Sequence, residues 1–441
     1  MLNREDNELL TLTGPGTAMG DLLRRYWTPV VLSSELAPGG RVKRVKLLGE
    51  RLIAYRTPSG RPGLIAEFCP HRSASLYFGR VEEAGMRCVY HGWKFGHDGR
   101  CMEMPSEPAE SSFAAKVTTP AYPCTERGGV VWACMGPADP PPLPDLEWTL
   151  LPADHVFASK RIQDCNWFQA MEGGIDSSHI SFLHAPLDHA ARDITEDMDR
   201  VSFGVGAAVQ TGDRAPRFDV IDTDYGSLIG ARRTQPDGSW YWRVTQFLLP
   251  FYTMPPVGIG EKVVQSHIWV PMDDTHVVNW MVTWHLDRPL TREEIALHIE
   301  GKGAHVCDFA PATSEPYGDI RTAASRDNDY FMDWEAHRTR MFCGIPGFGV
   351  QDQAIQESQG PIVDRAQERL GSSDTAIIQV RKRLMTAARA LRERGAAPPG
   401  LEPTAYCVRS ASALLPAEAD WVEGARPAIL ARPDQRLTLV S

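Results

Sequence analysis

"CPHRSASLYFGRVEEAGMRCVYHGW", residues 69–93, sets two cysteines and two histidines in a pair of glycine-studded loops. The spacing reads Cys69-x-His71, sixteen residues, then Cys88-x-x-His91. Four metal-binding side chains at such spacing point to a metal site rather than to scattered structural residues. Zinc takes two thiolates and two imidazoles in tetrahedral structural sites. Zinc fingers usually pair like with like, whereas each half here supplies one Cys and one His. A mixed pair from each of two loops suits a [2Fe–2S] cluster, with thiolates on one iron and imidazoles on the other. The overlapping "HGWKFGHDG" (91–99) adds glycines where the backbone must approach the sulfides and offer N–H groups to them.

Working outward from the motif, the flanking runs "RVKRVKLLGERLIAYR" (41–56) and "GGVVWACMG" (128–136) are short and alternating, broken by Gly, Pro and Asp. That pattern predicts a small antiparallel β domain over 41–140. Before it, residues 1–40 read as a helical start, with an apolar stripe in "DLLRRYW" (21–27). After it, the prolines of "GPADPPPLPDLEW" (136–148) mark a linker, since they cannot continue a helix or a central strand. From 150 to 441 the pattern mixes helices (165–186, 291–301, 374–394) with long strands (200–285). The expected class is therefore α+β, in more than one domain for a chain of 441 residues.

Composition narrows the partners. The net charge is −10, with acids and bases interspersed, which argues against nucleic acid or an anionic membrane. The start "MLNREDNELLTLTGPG" lacks an apolar core, and no run reaches the roughly 18 apolar residues of a membrane span. Nine cysteines at irregular spacing, without an export signal, predict reduced thiols and a cytoplasmic protein. Outside the motif, Cys101, Cys124, Cys134, Cys165, Cys307, Cys343 and Cys407 read as small buried apolar residues.

An iron–sulfur cluster only moves electrons, so the chain needs a second site where they are spent. "CNWFQAMEGGIDSSHISFLHAP" (165–186) holds Asp176, His179 and His184 after two glycines that loosen a helical run. Asp176 and His179 share nearly one helix face. His179 and His184, five apart, lie about 140° apart on an ideal helix. One ion between them requires the helix to widen, as through an i→i+5 turn. Two histidines plus a carboxylate form the facial triad of non-haem Fe(II) oxygenases. Spacing alone leaves three candidates for that acid: Asp352, Glu357 and Asp364.

Together the patterns Cys-x-His…Cys-x-x-His and Asp-x-x-His-x-x-x-x-His, about 85 residues apart, resemble the large (alpha) subunit of Rieske non-haem iron aromatic-ring-hydroxylating oxygenases. Within that family the chain is most similar to the phthalate 4,5-dioxygenase type. The likeness extends through "MLNREDNELLTLTGPGTAMGDLLRRYW", "SRDNDYF" (325–331), "QDQAIQESQGPIVDR" (351–365) and "LGSSDTAI" (370–377). It implies an N-terminal Rieske domain and a C-terminal helix-grip domain with a curved antiparallel sheet. It selects Asp352 as the third ligand of a mononuclear Fe(II). It also implies that Asp176 bridges His91 of one protomer to His179 of its neighbour. The assembly would then be a trimer or a stacked hexamer.

The same resemblance implies the reaction. A separate NAD(P)H-dependent reductase, flavin- and [2Fe–2S]-bearing, would feed electrons to the cluster for O₂ insertion into an aromatic substrate. Insertion of both oxygens gives a cis-dihydrodiol; insertion of one gives a monooxygenase that removes O- or N-alkyl groups. Two rival classes are an electron-transfer protein, which needs only residues 41–140, and a zinc-bearing structural module. For the substrate, "SWYWRVTQFLLPFY" (239–252) alternates, placing Tyr241, Arg243, Thr245 and Phe247 on one face. An arginine among aromatics there would clamp an aromatic carboxylate, as a similarly placed arginine does in phthalate-type members. "DRAPRF" (213–218) offers Arg214 and Arg217 as a second clamp, with a surface salt bridge as the alternative use of each.

Overall fold

The metal motif hangs from two four-stranded antiparallel sheets. A computed structural model of the chain describes residues 2–137, 139–187, 213–301, 303–432 and 437–440. One sheet has the order β2 (Lys43–Leu47), β3 (Glu50–Arg56), β4 (Pro62–Ala66), β9 (Ala121–Tyr122). The other runs β5 (Arg80–Glu82), β6 (Gly85–Arg87), β7 (Lys94–Phe95), β8 (Cys101–Glu103). Between them lies a small separate core of Ile53, Tyr55, Ile65, Leu76, Met86, Trp93 and Phe95, which also contains Cys69 and Cys88.

The N-terminal stretch is α-helical at α1 (Arg4–Thr11) and α2 (Ala18–Leu23), with a 3₁₀ turn at Ser33–Glu35. Trp27–Leu32, which the apolar stripe had grouped with that helical start, is strand β1. It pairs with β11 (Val130–Cys134), next to β10 (Cys124–Arg127). "WTPVVL" explains the difference: Pro29 cannot donate inside a helix but is tolerated at the register shift between Pro29 and Val31.

Beyond the proline-rich segment, one antiparallel sheet dominates. Its order is β12 (Val156–Gln163), β18 (Val277–His285), β17 (Val263–Pro271), β16 (Tyr252–Met254), β15 (Trp240–Leu248), β14 (Gly226–Thr234), β13 (Arg217–Asp222). β19 (Ala411–Leu415) pairs with β15 beside β16. Every residue of β17 and β18 is buried, as expected for strands covered on both faces. Helix α3 (Trp167–Ile175) packs across β15 to β18, and the helix Phe348–Ser358 packs on α3. The strand-rich stretch expected from residue 200 begins, among the described residues, at Arg217; residues 200–212 lie outside them. The expected helices appear as Arg292–Ile299 and Thr375–Arg394, with α3 the shortened counterpart of 165–186.

Candidate metal centres

The two halves of the cysteine–histidine motif fold into the same turn. Cys69 N–H donates to the Ala74 carbonyl (2.9 Å) while Ser73 N–H donates back to the Cys69 carbonyl (2.9 Å). Cys88 N–H donates to the Trp93 carbonyl (2.8 Å) while Gly92 N–H returns to the Cys88 carbonyl (3.0 Å). Each loop thus closes over its own cysteine and holds the histidine at its tip. Gly92 carries φ +77°, and a Cβ there would strike Pro105 Cγ at 2.6 Å, so this turn needs glycine. The His71 ring stacks on Trp93 (4.3 Å, 8° between planes) and meets His91 edge-on at 4.5 Å.

These residues fit a two-iron cluster. Burial, with the neighbouring Cys88 thiol, pushes the Cys69 thiol up to about 11. His71 Nδ1 is buried and has no hydrogen-bond partner, an expensive state for a ring nitrogen unless a metal takes it. Among the described residues, the one group of three or more His, Cys, Asp or Glu whose donor atoms all lie within 4.8 Å of one another is elsewhere. The four motif ligands therefore do not converge as a single zinc would require.

That convergent group is His179, His184 and Asp352. His179 Nε2 and His184 Nε2 are 3.2 Å apart, and Asp352 Oδ1 lies 3.6 Å and 3.2 Å from them. The helix does not widen to achieve this, contrary to the i→i+5 turn expected from spacing. α3 ends at Ile175, Asp176 leaves it with extended backbone, and His179–Ser181 form a separate 3₁₀ turn. Leaving the helix frees the His179–His184 segment from the 100° rule. Nor do the glycines loosen the helix: both lie within α3 and permit close packing. A Cβ on Gly173 would approach Gln356 Nε2 to 2.5 Å, and one on Gly174 would approach Thr253 Oγ1 to 2.3 Å.

Each histidine is oriented by a partner on its other nitrogen, as second-shell groups do. Asp176 Oδ2 lies 3.4 Å from His179 Nδ1, while its Oδ1 accepts from Ser178 N–H (2.6 Å). His184 Nδ1 donates to Gln351 Oε1 (2.6 Å), and Gln351 Nε2 donates to the Ile345 carbonyl (2.8 Å). Gln351 escaped the sequence reading, although it sits beside Asp352 in "QDQ". Burial opposes ionisation of Asp352, but His184 and His179 outweigh it and hold the carboxyl down to about 2.

Of the three candidate acids, only Asp352 meets the histidines. It lies in the second turn of Phe348–Ser358, whose first turn contains no acid, so it is not a capping residue. Glu357 accepts from Tyr330 Oη (2.6 Å), Gln353 and Asp164 N–H in a separate buried network. Asp364 is exposed and caps its own turn at Ala366 N–H.

A cavity of about 120 Å³ opens beside the triad, lined among others by Asp176, Arg243, Thr245, His267, Trp269 and Phe348. Arg243 is 3 % exposed; Nη2 donates to the Pro256 carbonyl (2.9 Å), but Nε and Nη1 have no partner among the described residues. Arg233, on the same face of the neighbouring strand, is fully buried and bonds Ser177 and Ser181, with no acid bonded to it among the described residues. Burial, then the charge of Arg243, lowers its pKa to about 10. Arg214 is exposed, its guanidinium 5.9 Å from the Phe182 ring, and Arg217 is exposed at the start of β13; neither lines the cavity.

Comparison with known proteins follows the same division. The Rieske [2Fe-2S] domain family matches residues 26–123, and the family described as LigXa C-terminal domain like matches 133–433. The 3-chlorobenzoate-3,4-dioxygenase oxygenase subunit of Comamonas testosteroni is 37% identical over 427 residues, 95% of this chain and 96% of that protein. The phthalate 4,5-dioxygenase oxygenase subunit of Pseudomonas putida is 38% identical over 402 residues, 88% and 86% of the two chains. In solved structures, the terminal oxygenase of carbazole 1,9a-dioxygenase from Nocardioides aromaticivorans IC177 superposes with a TM-score of 0.55 at 19% identity. That match covers 87% of this chain and all of the other. Further neighbours are oxygenase chains in complex with ferredoxin.

Proposed function

Because this chain belongs to the Rieske non-haem iron oxygenases, as their oxygenase (alpha) component, we propose that it cis-dihydroxylates an aromatic carboxylate of the phthalate or benzoate class. Its cofactors are a Rieske [2Fe–2S] cluster and a mononuclear iron. On this reading Cys69, His71, Cys88 and His91 hold the cluster, and His179, His184 and Asp352 hold the iron. The domain limits proposed are 41–140 for the cluster and 150–441 for the reaction site, behind the 1–40 segment. When bound, the metals supply stored electrons and the activation of O₂.

The chain's own residues supply position. Arg243 carries the substrate reading: a guanidinium 3 % exposed, with two unpartnered N–H-bearing nitrogens, lines the same cavity as the triad. A buried cation without a counter-ion is costly, and Arg233 next to it deepens the positive potential. A ring carboxylate would pair with Arg243 and turn the far carbons of the ring toward the triad, fixing regiochemistry by position. Trp269 and Phe348 provide apolar walls for the ring. Asp176 keeps a proton on His179 Nδ1, so that Nε2 faces the metal position. A separate reductase delivers the electrons, and Asp176 links clusters and irons of adjacent protomers in a ring.

The test is substrate discrimination in Arg243→Gln. The kcat/KM for phthalate and benzoate should fall by about 2–5 kcal/mol equivalent, as for a broken buried ion pair, while a neutral arene changes little. Turnover by the wild type of aryl ethers or amines alone, with release of formaldehyde, would replace dihydroxylation by dealkylation.

A further inference from the structure

We propose that His267 is a specificity-determining hydrogen-bond acceptor, so that the ring taken by the cavity carries a hydroxyl or amino group as well as its carboxylate. This rests on the carboxylate reading above and refines it. His267 lies on β17 between Gln265 and Trp269, and the alternation of the strand sets all three along the cavity. Its ring stacks on Trp269 at 5.1 Å and 13°, which fixes the plane of the imidazole.

A chain of side-chain amides fixes the tautomer. Gln163 Nε2 donates to Gln356 Oε1 (2.7 Å), and Asn279 Nδ2 donates to Gln163 Oε1 (3.0 Å). The remaining contact is His267 Nδ1 to Asn279 Oδ1, at 3.3 Å. Asn279 and Gln163 are wholly buried, so neither can trade this arrangement for water. An amide oxygen brings no proton, so His267 Nδ1 must carry the hydrogen of this bond. Burial, then the charge of Arg161, hold the imidazole pKa down to about 4, so the ring is neutral near pH 7. A neutral ring protonated at Nδ1 has only a lone pair at Nε2, the opposite edge.

Outside the triad and Asp176, Ser177, Thr245, Gln265 and Gln356 also line the cavity and can each donate or accept, whereas Arg243 and His267 offer one role apiece. Arg243 only donates; His267 Nε2 only accepts. An unsubstituted benzoate would satisfy the first and leave the second without a partner on the substrate. A hydroxy- or aminobenzoate satisfies both. A methoxy group, which has no proton to give, meets a lone pair instead.

The experiment is equilibrium binding to the holoenzyme without reductase, by anaerobic calorimetry. The probes are benzoate and its 2-, 3- and 4-hydroxy, amino, methoxy and fluoro derivatives, with the matching neutral phenols and anisoles. At one ring position the hydroxy and amino acids should bind about tenfold tighter than the methoxy acid, the usual value of one hydrogen bond in a dry site. His267→Phe, which keeps an aromatic ring on Trp269, should bring that ratio to about one. Equal binding of hydroxy and methoxy acids at all positions overturns the inference, as does a ratio that survives His267→Phe. The wild-type ranking decides alone should the variant lose its Rieske spectrum on purification. Phenols that bind better than anisoles, with no gain from a carboxylate, would sink the carboxylate reading and uphold the acceptor.

Discussion

His184 Nδ1 sits 2.6 Å from Gln351 Oε1, and the Ile345 carbonyl fixes which end of that amide is oxygen. The proton on His184 is thereby committed to Nδ1, leaving Nε2 for the metal. Removing such a partner typically weakens metal binding by about 10–100-fold. Gln351→Leu should therefore lose mononuclear iron at limiting ferrous ion while its cluster absorption is unchanged, as measured by ferrous titration of the apoprotein. Asp352→Ala should lose that iron altogether. Glu357→Gln should keep it and instead lower unfolding stability by about 1–3 kcal/mol, because Tyr330, Gln353 and Asp164 lose a buried acceptor. Iron retained in Asp352→Ala but lost in Glu357→Gln would reverse the assignment. The two turns that carry the proposed cluster ligands are legible from sequence because both are local, each closed within five residues. Asp352 was not separable from Glu357 and Asp364 by spacing, since the contact that distinguishes it crosses the fold. Family resemblance made that choice.

At the scale of the element, α3 shows why helical arithmetic misled. Counting 100° per residue across 176–184 assumes one continuous helix, yet the helix stops at Ile175. The two glycines do not loosen the run but serve close packing against Gln356 and Thr253. Neither error changes which residues meet, because Asp176, His179 and His184 need only a short loop on a fixed helix end. Gly174→Ala puts a Cβ 2.3 Å from Thr253 Oγ1, which itself accepts from Trp269 Nε1 (2.9 Å) in the cavity wall. Alanine would gain about 1 kcal/mol in helix propensity at an open site. Here overpacking should outweigh that gain and give a net loss of the order of 1–3 kcal/mol in chemical denaturation. A stabilised Gly174→Ala would mean that α3 can shift away from β16 without cost.

Buried charge stitches the whole molecule together, and the proposed ring would join its two metal centres across protomers. Lys160 on β12 is almost fully buried and pairs with Glu35, which also holds Lys43 of β2, while Lys43 pairs with Asp319. Burial opposes the charge on Glu35, but Lys160 and Lys43 outweigh it and lower its pKa below the ordinary 4.5. A depressed carboxyl stabilises the fold above its unfolded pKa, and this contribution is lost as pH falls through the folded value. Glu35→Gln should cost about 3–5 kcal/mol near pH 7 by stranding Lys160, and should flatten the acid limb below about 4.5. Among the exposed apolar side chains of the described residues, two groups lie close in sequence to the proposed metal ligands. Val89 and Tyr90, 56% and 54% exposed, directly precede His91, the proposed cluster ligand; Trp334, Phe342 and Phe182, 71%, 44% and 41% exposed, lie in segments near the triad loop, where Phe182 meets Phe342. Two different patches that cover each other make a head-to-tail contact, which closes into a ring where the rotation between protomers allows it. If the cluster of one protomer serves the iron of the next through Asp176, two dead variants should rescue each other. Cys69→Ala should keep iron and lose the cluster; Asp352→Ala should keep the cluster and lose iron. Mixed after dissociation and reassembly, they should regain a measurable fraction of wild-type turnover. Adding Asp176→Asn to the iron-bearing Cys69→Ala partner, which supplies the His179 side of the bridge, should abolish the rescue. Mixed rings that form, shown by mass, yet stay inactive would mean that electrons pass within one chain and that Asp176 bridges nothing.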